Sequence, residues 1–190
     1  MKKYLIDTNV FWEILCDIAG IPVTGKKFDT NTIRRNECFI SEITKIEIMS
    51  VMGKYARGEQ GGWQPCDRII GENKARCTER YFKTGRKKWK NKRVEAMKRL
   101  VKDILGGNSE VLRVQVLSVS DEVIAEAEKF IRHAFRYKFA SLDAMIAATA
   151  IVYDRENIII ATHDGSFRKA LEDEGIHIMK ESETAAVPVL

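Results

Sequence analysis

Residues 3–18 of this 190-residue chain are KYLIDTNVFWEILCDI, and the expected fold class follows from this stretch. Tyr4, Leu5 and Ile6 are consecutive apolar residues, which is typical of a short buried strand. Asp7 comes directly after them. Val10, Ile14 and Ile18 then recur at helical spacing, so we expect a helix to begin at once after the aspartate.

The same alternation of strand and helix continues along the chain. The further strands that we expect are Cys38–Ile40, Val114–Val119, Ile158–Ala161 and Ile176–Ile178. The further helices are predicted after Ile40 (with Glu47 inside it), after Ser120, from Ser141 and from about Ser166. Strands that alternate with helices predict a three-layer α/β/α sandwich around a parallel sheet. The length favours one domain over residues 1–190.

The composition excludes several classes of protein. Asp7 interrupts the apolar residues after Lys2 and Lys3 too early for a signal peptide. No apolar run approaches the roughly 18 residues of a membrane helix, so we expect a cytoplasmic protein. The four cysteines, at positions 16, 38, 66 and 77, form no CxxC pair, and we expect free thiols. The alternative is a metal or redox pair of Cys66 with Cys77.

The basic residues are concentrated in one segment. The whole chain carries a net charge of +5, with a pI of about 9.0. Residues 54–102 contain 16 lysines and arginines against 5 acidic residues, so this segment carries +11 and the remainder carries −6. The distribution predicts a polyanionic partner for the segment and a cation site in the remainder.

We expect this segment to form a helical insertion at about residues 54–108. Val94, Met97, Val101, Ile104 and Leu105 form an apolar stripe that Gly106 and Gly107 terminate. Trp89 is surrounded by the basic residues Arg86, Lys87, Lys88, Lys90, Lys92 and Arg93. Such cations can attract RNA phosphates, and Trp89, Tyr81 and Phe82 can stack on unpaired bases. The equally weighted alternative is a solvated basic face whose aromatic residues pack on the body.

Four acidic residues are the candidate site, although each has a purely structural interpretation. Asp7 can cap the first helix, and Thr44 with Glu47 fits a capping box. Asp143 lies in a first helical turn, where the helix dipole favours a carboxylate. Asp164 with Gly165 fits a local turn.

Their positions in combination favour a site. Asp7 and Asp164 follow apolar strands, and Glu47 and Asp143 lie near the starts of helices. Strand ends and the starts of the following helices share one edge of a parallel sheet, which is where ligands bind. Clustered carboxylates repel one another, and a hard divalent cation such as Mg²⁺ or Mn²⁺ relieves that repulsion.

Four motifs in this order resemble those of PIN-domain proteins. They are Asp7-Thr8-Asn9, SEITKIE at 41–47, LDAMIAATA at 142–150 and ATHDGSF at 161–167. Many members of that family are ribonuclease toxins of type II toxin–antitoxin modules. The resemblance covers residues 3 to about 180 and is interrupted by the basic insertion, which is longer than in compact toxins.

The resemblance implies a five-stranded parallel sheet and a metal-dependent endoribonuclease that leaves 5′-phosphate and 3′-hydroxyl ends. Asp7, Glu47, Asp143 and Asp164 would bind Mg²⁺ or Mn²⁺, with Asn9 and Thr162 in support. His163 occupies a position of the fourth motif that varies within the family, and we expect it to be a spacer. The resemblance also implies RNA as substrate, a homodimer and a small antitoxin protein as partner.

Three alternatives remain beside the toxin hypothesis. The first is an RNA-processing nuclease outside a toxin–antitoxin module. The second is a non-catalytic nucleic-acid-binding module, although the presence of all four acids argues against it. The third is a phosphoryl-accepting α/β domain, which Asp7-Thr8-Asn9 disfavours because the motif lacks a second acid.

Overall fold

The structure is a computed structural model that describes residues 1–22, 28–66, 69–70 and 75–180. In chain order its elements are β1 (Lys3–Ile6), α1 (Thr8–Ile18), α2 (Thr30–Arg34), β2 (Glu37–Ser41), α3 (Glu42–Arg57), β3 (Gly62–Pro65), β4 (Ile69–Ile70), β5 (Ala75–Arg76), β6 (Arg80–Lys83), α4 (Asn91–Leu105), β7 (Val114–Leu117), α5 (Asp121–Phe130), α6 (Ser141–Asp154), β8 (Ile158–Ala161) and α7 (Gly165–Asp173). A 3₁₀ turn at Ile131–Phe135 follows α5.

The central sheet has four strands in the order β7-β2-β1-β8, and every neighbouring pair is parallel. Tyr4, Leu5 and Ile6 of β1 are all buried. Successive residues of a strand point to opposite faces, so both faces of the sheet are covered. The predicted α/β class with a parallel sheet is confirmed.

The predicted fifth strand at Ile176–Ile178 is wrong. Gly175, at a φ of 72°, turns the chain after α7, and the residues that follow reach β8 at a single bridge between Ile178 and Ile160. Two backbone hydrogen bonds surround this bridge, from Ile160 to His177 at 2.8 Å and from Met179 to Ile160 at 2.9 Å. One bridge is too short a pairing to make a strand, so the sheet has four strands.

The chain divides into two compact units. The first comprises Met1–Met49 with Arg99–Leu190 and contains the parallel sheet. Leu5, Ile146, Ile160 and Phe167 are fully buried members of its main apolar cluster. The second unit is Ser50–Lys98.

Most of the second unit is not helical, which corrects the prediction of a helical insertion. β3 pairs antiparallel with β6, and β4 pairs antiparallel with β5. Aromatic residues favour strands, and Trp63 lies opposite Phe82 with the rings 5.7 Å apart. Gly61 lies just before β3, and Gly62 is its first residue.

The helical prediction holds for α4. Its stripe residues Val94, Met97, Val101 and Ile104 are buried, and the helix ends at Leu105, immediately before the glycine pair. All four cysteines are free thiols, as predicted. Within the described ranges, no helix combines the length and apolar character needed to span a membrane.

Candidate active site

The order of the strands places β1 beside β8 at a change of direction in the sheet. The chain proceeds from β1 to β2 and β7 on one side, and then returns to add β8 on the other side of β1. Ligands of open α/β sheets bind at such a switch point, outside the carboxyl ends of the strands. Asp7 follows β1 there, and its backbone N–H donates to the carbonyl of Ala161 at 3.0 Å.

The carboxylate of Asp7 is only 3% exposed and is held by three donors. Its Oδ1 accepts the backbone N–H of Thr8 at 2.6 Å, as expected of a residue that caps α1. Its Oδ2 accepts the Asn9 side-chain amide and the Thr162 hydroxyl, each at 2.6 Å. The structure thus places Asn9 and Thr162, the two predicted supporting residues, directly on Asp7.

The protonation of Asp7 reflects its surroundings. Burial, the largest cause, raises its pKa from an ordinary 3.8 to about 6, although hydrogen bonds from Thr162 and Thr8 oppose the rise. The negative charges of Asp143 and Glu47 raise the pKa further. Two carboxylates that are distant in sequence therefore act electrostatically on Asp7.

Glu47 lies in the second turn of α3 and contacts the first motif. The hydroxyl of Thr8 donates to its Oε2 at 2.5 Å. The capping-box interpretation of Thr44 with Glu47 is wrong, because α3 already begins at Glu42. Thr44 is instead buried inside the helix, and its hydroxyl donates to the carbonyl of Ile6 at 3.4 Å.

Asp143 and Asp164 do have the structural roles that their positions predict. One oxygen of Asp143 accepts the backbone N–H of Ala140 at 2.8 Å, at the start of α6. Asp164 caps α7, and its Oδ1 accepts the backbone N–H groups of Ser166 and Phe167 at 2.8 Å. In both residues, the second carboxylate oxygen takes no part in these capping hydrogen bonds.

Neighbouring carboxylate charges act on Asp7 and on Asp143, and the four residues Asp7, Glu47, Asp143 and Asp164 are together called the acidic site. Burial, the largest cause, raises the pKa of Asp143, and the charges of Asp164 and Glu47 raise it further. No lysine or arginine in the described ranges forms an ion pair with Asp7, Glu47, Asp143 or Asp164. Among the described residues, no paired cation balances this charge.

The side-chain positions do not form a closed metal site. In the part of the chain that the structure describes, no three His, Cys, Asp or Glu side chains converge closely enough to hold a metal ion. The chemistry of the donors nevertheless fits Mg²⁺ or Mn²⁺, since all are oxygens. Magnesium binds through one or two carboxylates and retains several waters, so it does not require a closed cage.

Comparison with known proteins identifies the family. A family model described as PIN domain matches residues 4–172. The chain belongs to the PIN-domain family. No curated protein sequence matches it.

Two solved structures are similar to this PIN domain. DNA-bound VapBC from Salmonella typhimurium aligns with a TM-score of 0.54 at 15% identity, covering 94% of this chain and 98% of that chain. VapBC2 from Rickettsia felis, bound to a DNA fragment from its promoter, aligns with a TM-score of 0.51 at 11% identity and the same coverage. At these identities, the likeness concerns the fold.

A buried pair beside the acidic site of this PIN domain was missed by the sequence analysis. Glu13 on α1 is 2% exposed, and its Oε2 lies 2.5 Å from Nε2 of His163. The His163 ring also stacks on Phe28 at 4.7 Å, and its backbone N–H donates to Asn9 Oδ1 at 3.0 Å. His163 is therefore more than a spacer. The only available signal was Glu13 itself, a charged residue within an apolar helix.

The six predicted substrate-binding cations lie in the second unit, between the hairpin and the first turn of α4. Arg86 lies 4.9 Å from the ring centre of Tyr55, and Arg93 lies 5.6 Å from that of Trp89. The lysines at positions 87, 88, 90 and 92 are exposed. Trp89 packs on Tyr55 at 4.7 Å, whereas Tyr81 and Phe82 are at least half exposed.

Proposed function

We propose that this PIN domain is a metal-dependent endoribonuclease that hydrolyses RNA phosphodiester bonds with Mg²⁺ or Mn²⁺. The observation that carries the proposal is the position of Asp7 at the switch point of the sheet, where the charges of Glu47 and Asp143 act on it, while those of Asp164 and Glu47 act on Asp143. A carboxylate whose pKa is raised by burial and by neighbouring negative charges is stabilised in its charged form by a bound cation. Such perturbed groups are typical of functional sites.

The role of the ion follows from the reaction. A divalent ion at this edge would lower the pKa of a water molecule and neutralise charge on the scissile phosphate. Asp143, Asp164 and Glu47 would hold the ion through the oxygens that do not cap helices or accept from Thr8. Asp7 would be a further ligand, because the charges of Asp143 and Glu47 act on it.

Residues around Asp7 orient its carboxylate. Asn9 and Thr162 both donate to Oδ2, and Asn9 is itself held by the backbone N–H of His163. Partners of this kind fix the geometry of a metal ligand, and their loss typically costs about 10–100-fold in affinity or activity. Asn9 and Thr162 are therefore positioning residues in the proposal.

The second unit would supply affinity for RNA. Its exposed lysines favour a polyanion through a sequence-independent attraction to phosphates. The half-exposed ring of Tyr81 offers a stacking surface for an unpaired base. These features support single-stranded or looped RNA as the substrate class.

An Asp143→Asn variant tests catalysis directly. We expect its cleavage rate on a single-stranded RNA oligonucleotide, with Mn²⁺ supplied, to fall by at least about 100-fold, since a proposed ligand is lost. Binding of the same RNA should stay within about twofold, because the cations of the second unit are unchanged. Asp154→Asn is a matched control at the other end of α6, where the carboxylate pairs with Lys3 at 2.7 Å.

The outcomes separate the alternative functions. If wild type and Asp143→Asn both bind RNA but neither cleaves it with any divalent ion, the chain is a non-catalytic binding module. If Asp143→Asn and Asp154→Asn cleave equally well, the acidic site is not the catalytic centre.

The biological setting that we propose is the toxin of a toxin–antitoxin pair, with a small antitoxin as partner and a homodimer as the assembly. The resemblance in fold to VapBC complexes supports this setting. Induced expression in a bacterial host should stop growth, and expression of Asp143→Asn should not. Growth arrest that is equal for both proteins would contradict the toxin assignment, and no arrest by wild type would favour an RNA-processing nuclease.

A further inference from the structure

A cavity in the second unit brings together basic residues that are separated in the sequence. It has a volume of about 350 Å³ and is lined by Lys54, Arg57, Gly58, Glu59, Lys83 and Arg86. Four of these six residues are cations and one is an acid. Lys54, Arg57 and Lys83 lie outside the run of basic residues at 86–93 that the sequence singles out, so the cavity is a different feature.

Backbone contacts hold the two walls of this cavity together. The N–H of Glu59 donates to the carbonyl of Arg86 at 2.8 Å, and the N–H of Trp89 donates to the carbonyl of Tyr55 at 3.0 Å. Gly58 has a φ of 71°, and an added Cβ there would lie 2.8 Å from Cβ of Lys88. The cations therefore extend from two segments whose backbones are hydrogen-bonded to each other.

Gly85 makes a second close approach between the walls. A Cβ at this position would lie 2.2 Å from the carbonyl oxygen of Glu59 and 2.3 Å from the N of Gly61. Only glycine allows the segments to approach so closely. The cavity is thus a built feature of the second unit rather than a chance gathering of side chains.

The positive charge in the cavity is largely uncompensated. Arg86 is the only lining cation for which the described residues provide an ion pair, and its Nη1 lies 4.0 Å from Oε2 of Glu59. The stacking of Arg86 on Tyr55 holds the guanidinium in place from the other side. A ligand for this cavity should carry concentrated negative charge and accept several hydrogen bonds.

We propose that this cavity binds a phosphate group of single-stranded RNA. The inference rests on the proposed function, which supplies RNA as the ligand. A phosphate has the required charge, and its oxygens accept from both lysine and arginine. The negative charge of Glu59 reduces the net positive charge of the cavity, so the cavity fits one phosphate better than several.

A neighbouring aromatic side chain favours an unpaired strand. Alternate residues of β6 share a face, so Tyr81 lies on the same face of the hairpin as Lys83. Its side chain is 50% exposed. A base adjacent to the bound phosphate could stack on this ring, which a paired base cannot do.

Matched double variants test the cavity against a diffuse basic surface. Lys54→Gln with Lys83→Gln removes two charges from the cavity, and Lys87→Gln with Lys90→Gln removes two from the adjacent exposed run. We measure the dissociation constant of a single-stranded RNA oligonucleotide in chelator, so that cleavage does not interfere. The cavity pair should weaken binding by at least about tenfold and the exposed pair by about threefold or less. Equal losses for the two pairs would overturn the proposal.

Further measurements identify which phosphate of the RNA binds and distinguish a failure of this inference from a failure of the proposed function. Oligonucleotides with a 5′-hydroxyl and with a 5′-phosphate should bind equally if an internal phosphate occupies the cavity, and preference for the 5′-phosphate would assign it to the strand end. If the cavity variants lose binding while no divalent ion supports cleavage by wild type, the nuclease proposal fails and the cavity stands. If wild type cleaves and the cavity variants bind like the exposed pair, only the cavity inference fails.

Discussion

The acidic site and the second unit hold their charges in different ways. Asp7 is almost fully buried, and each of its oxygens accepts at least one hydrogen bond. The lysines at 87, 88, 90 and 92 are exposed, the first three in the segment before α4 and the last in the first turn of that helix. Burial makes Asp7 costly to ionise, whereas exposure leaves these lysines hydrated.

The two regions should respond to mutation in different ways. A buried, oriented carboxylate acts through geometry, so small changes around it should alter the rate of the chemical step. Exposed cations act through long-range attraction, so their loss should alter binding and its salt dependence. A variant of the acidic site that alters only binding, or a variant of the exposed cations that alters only the rate, would contradict this distinction.

The largest effect that we expect outside the acids is from Thr162→Val. This nearly isosteric change removes the hydroxyl that donates to Asp7, and kcat should fall by about 10–100-fold. The Thr162 bond also lowers the pKa of Asp7, so the acidic limb of the pH–rate profile should move to higher pH. KM for RNA should change little.

Thr149→Val is the matched control for this variant. Thr149 is as fully buried as Thr162, and its hydroxyl lies 3.1 Å from that of Ser41. Its loss should affect stability without moving the pH–rate profile. A profile unchanged in Thr162→Val would show that the hydroxyl does not tune Asp7.

A smaller effect should appear in the stability of the metal-free protein. Asp7 has a pKa of about 6 in the folded chain against an ordinary 3.8, so the folded state binds this proton more tightly. Stability should therefore increase as the pH falls through 6 and decrease as it rises again. The contribution is about 1.4 kcal/mol in the free energy of unfolding between pH 8 and pH 5.

Denaturant unfolding of wild type and Asp7→Asn at both pH values isolates this contribution. The change in the free energy of unfolding between the two pH values should differ between the two proteins by this contribution, because the other groups titrate in both. Added Mg²⁺ should stabilise wild type at pH 8 and have less effect on Asp7→Asn. Identical pH dependence in the two proteins would contradict the raised pKa.

The sequence predicted the strands and the acidic residues because local patterns determine them. Tyr4–Ile6 and Ile158–Ala161 are apolar runs that end at polar motifs, and parallel pairing brings those ends together. For the fifth strand, the local pattern gave the wrong prediction. Ile176 and Ile178 have a suitable alternating pattern, yet the turn at Gly175 leaves only one bridge to β8.

The second unit was predicted less well, because its structure depends on contacts between distant residues. Charge and an apolar stripe indicate α4, but they do not reveal the hairpin of β3 with β6. That hairpin depends on the pairing of Trp63 with Phe82 and on the close approach of Gly85 to Gly61. The partner of Glu13 was hidden for the same reason, since 150 residues separate it from His163.

Glu13→Gln should have the smallest effect on activity, and it tests where the acidic site ends. Glu13 is buried close to the other acids, but its charge is not among those that raise the pKa of Asp7 or Asp143. The amide retains the size of the side chain and can still bond His163, so kcat should fall by no more than about threefold. Glu13→Ala should cost more, since it leaves Nε2 of His163 without its partner and loosens the backbone that holds Asn9.

The comparison of these two variants with Asp143→Asn distinguishes orientation from metal binding. If Glu13 acts only by orienting His163, the glutamine variant should keep its dependence on the concentration of Mg²⁺. A loss of activity as large as that of Asp143→Asn, recovered only at higher Mg²⁺, would instead make Glu13 a fifth carboxylate of the site. The acids that would hold the ion would then include one in the second turn of α1.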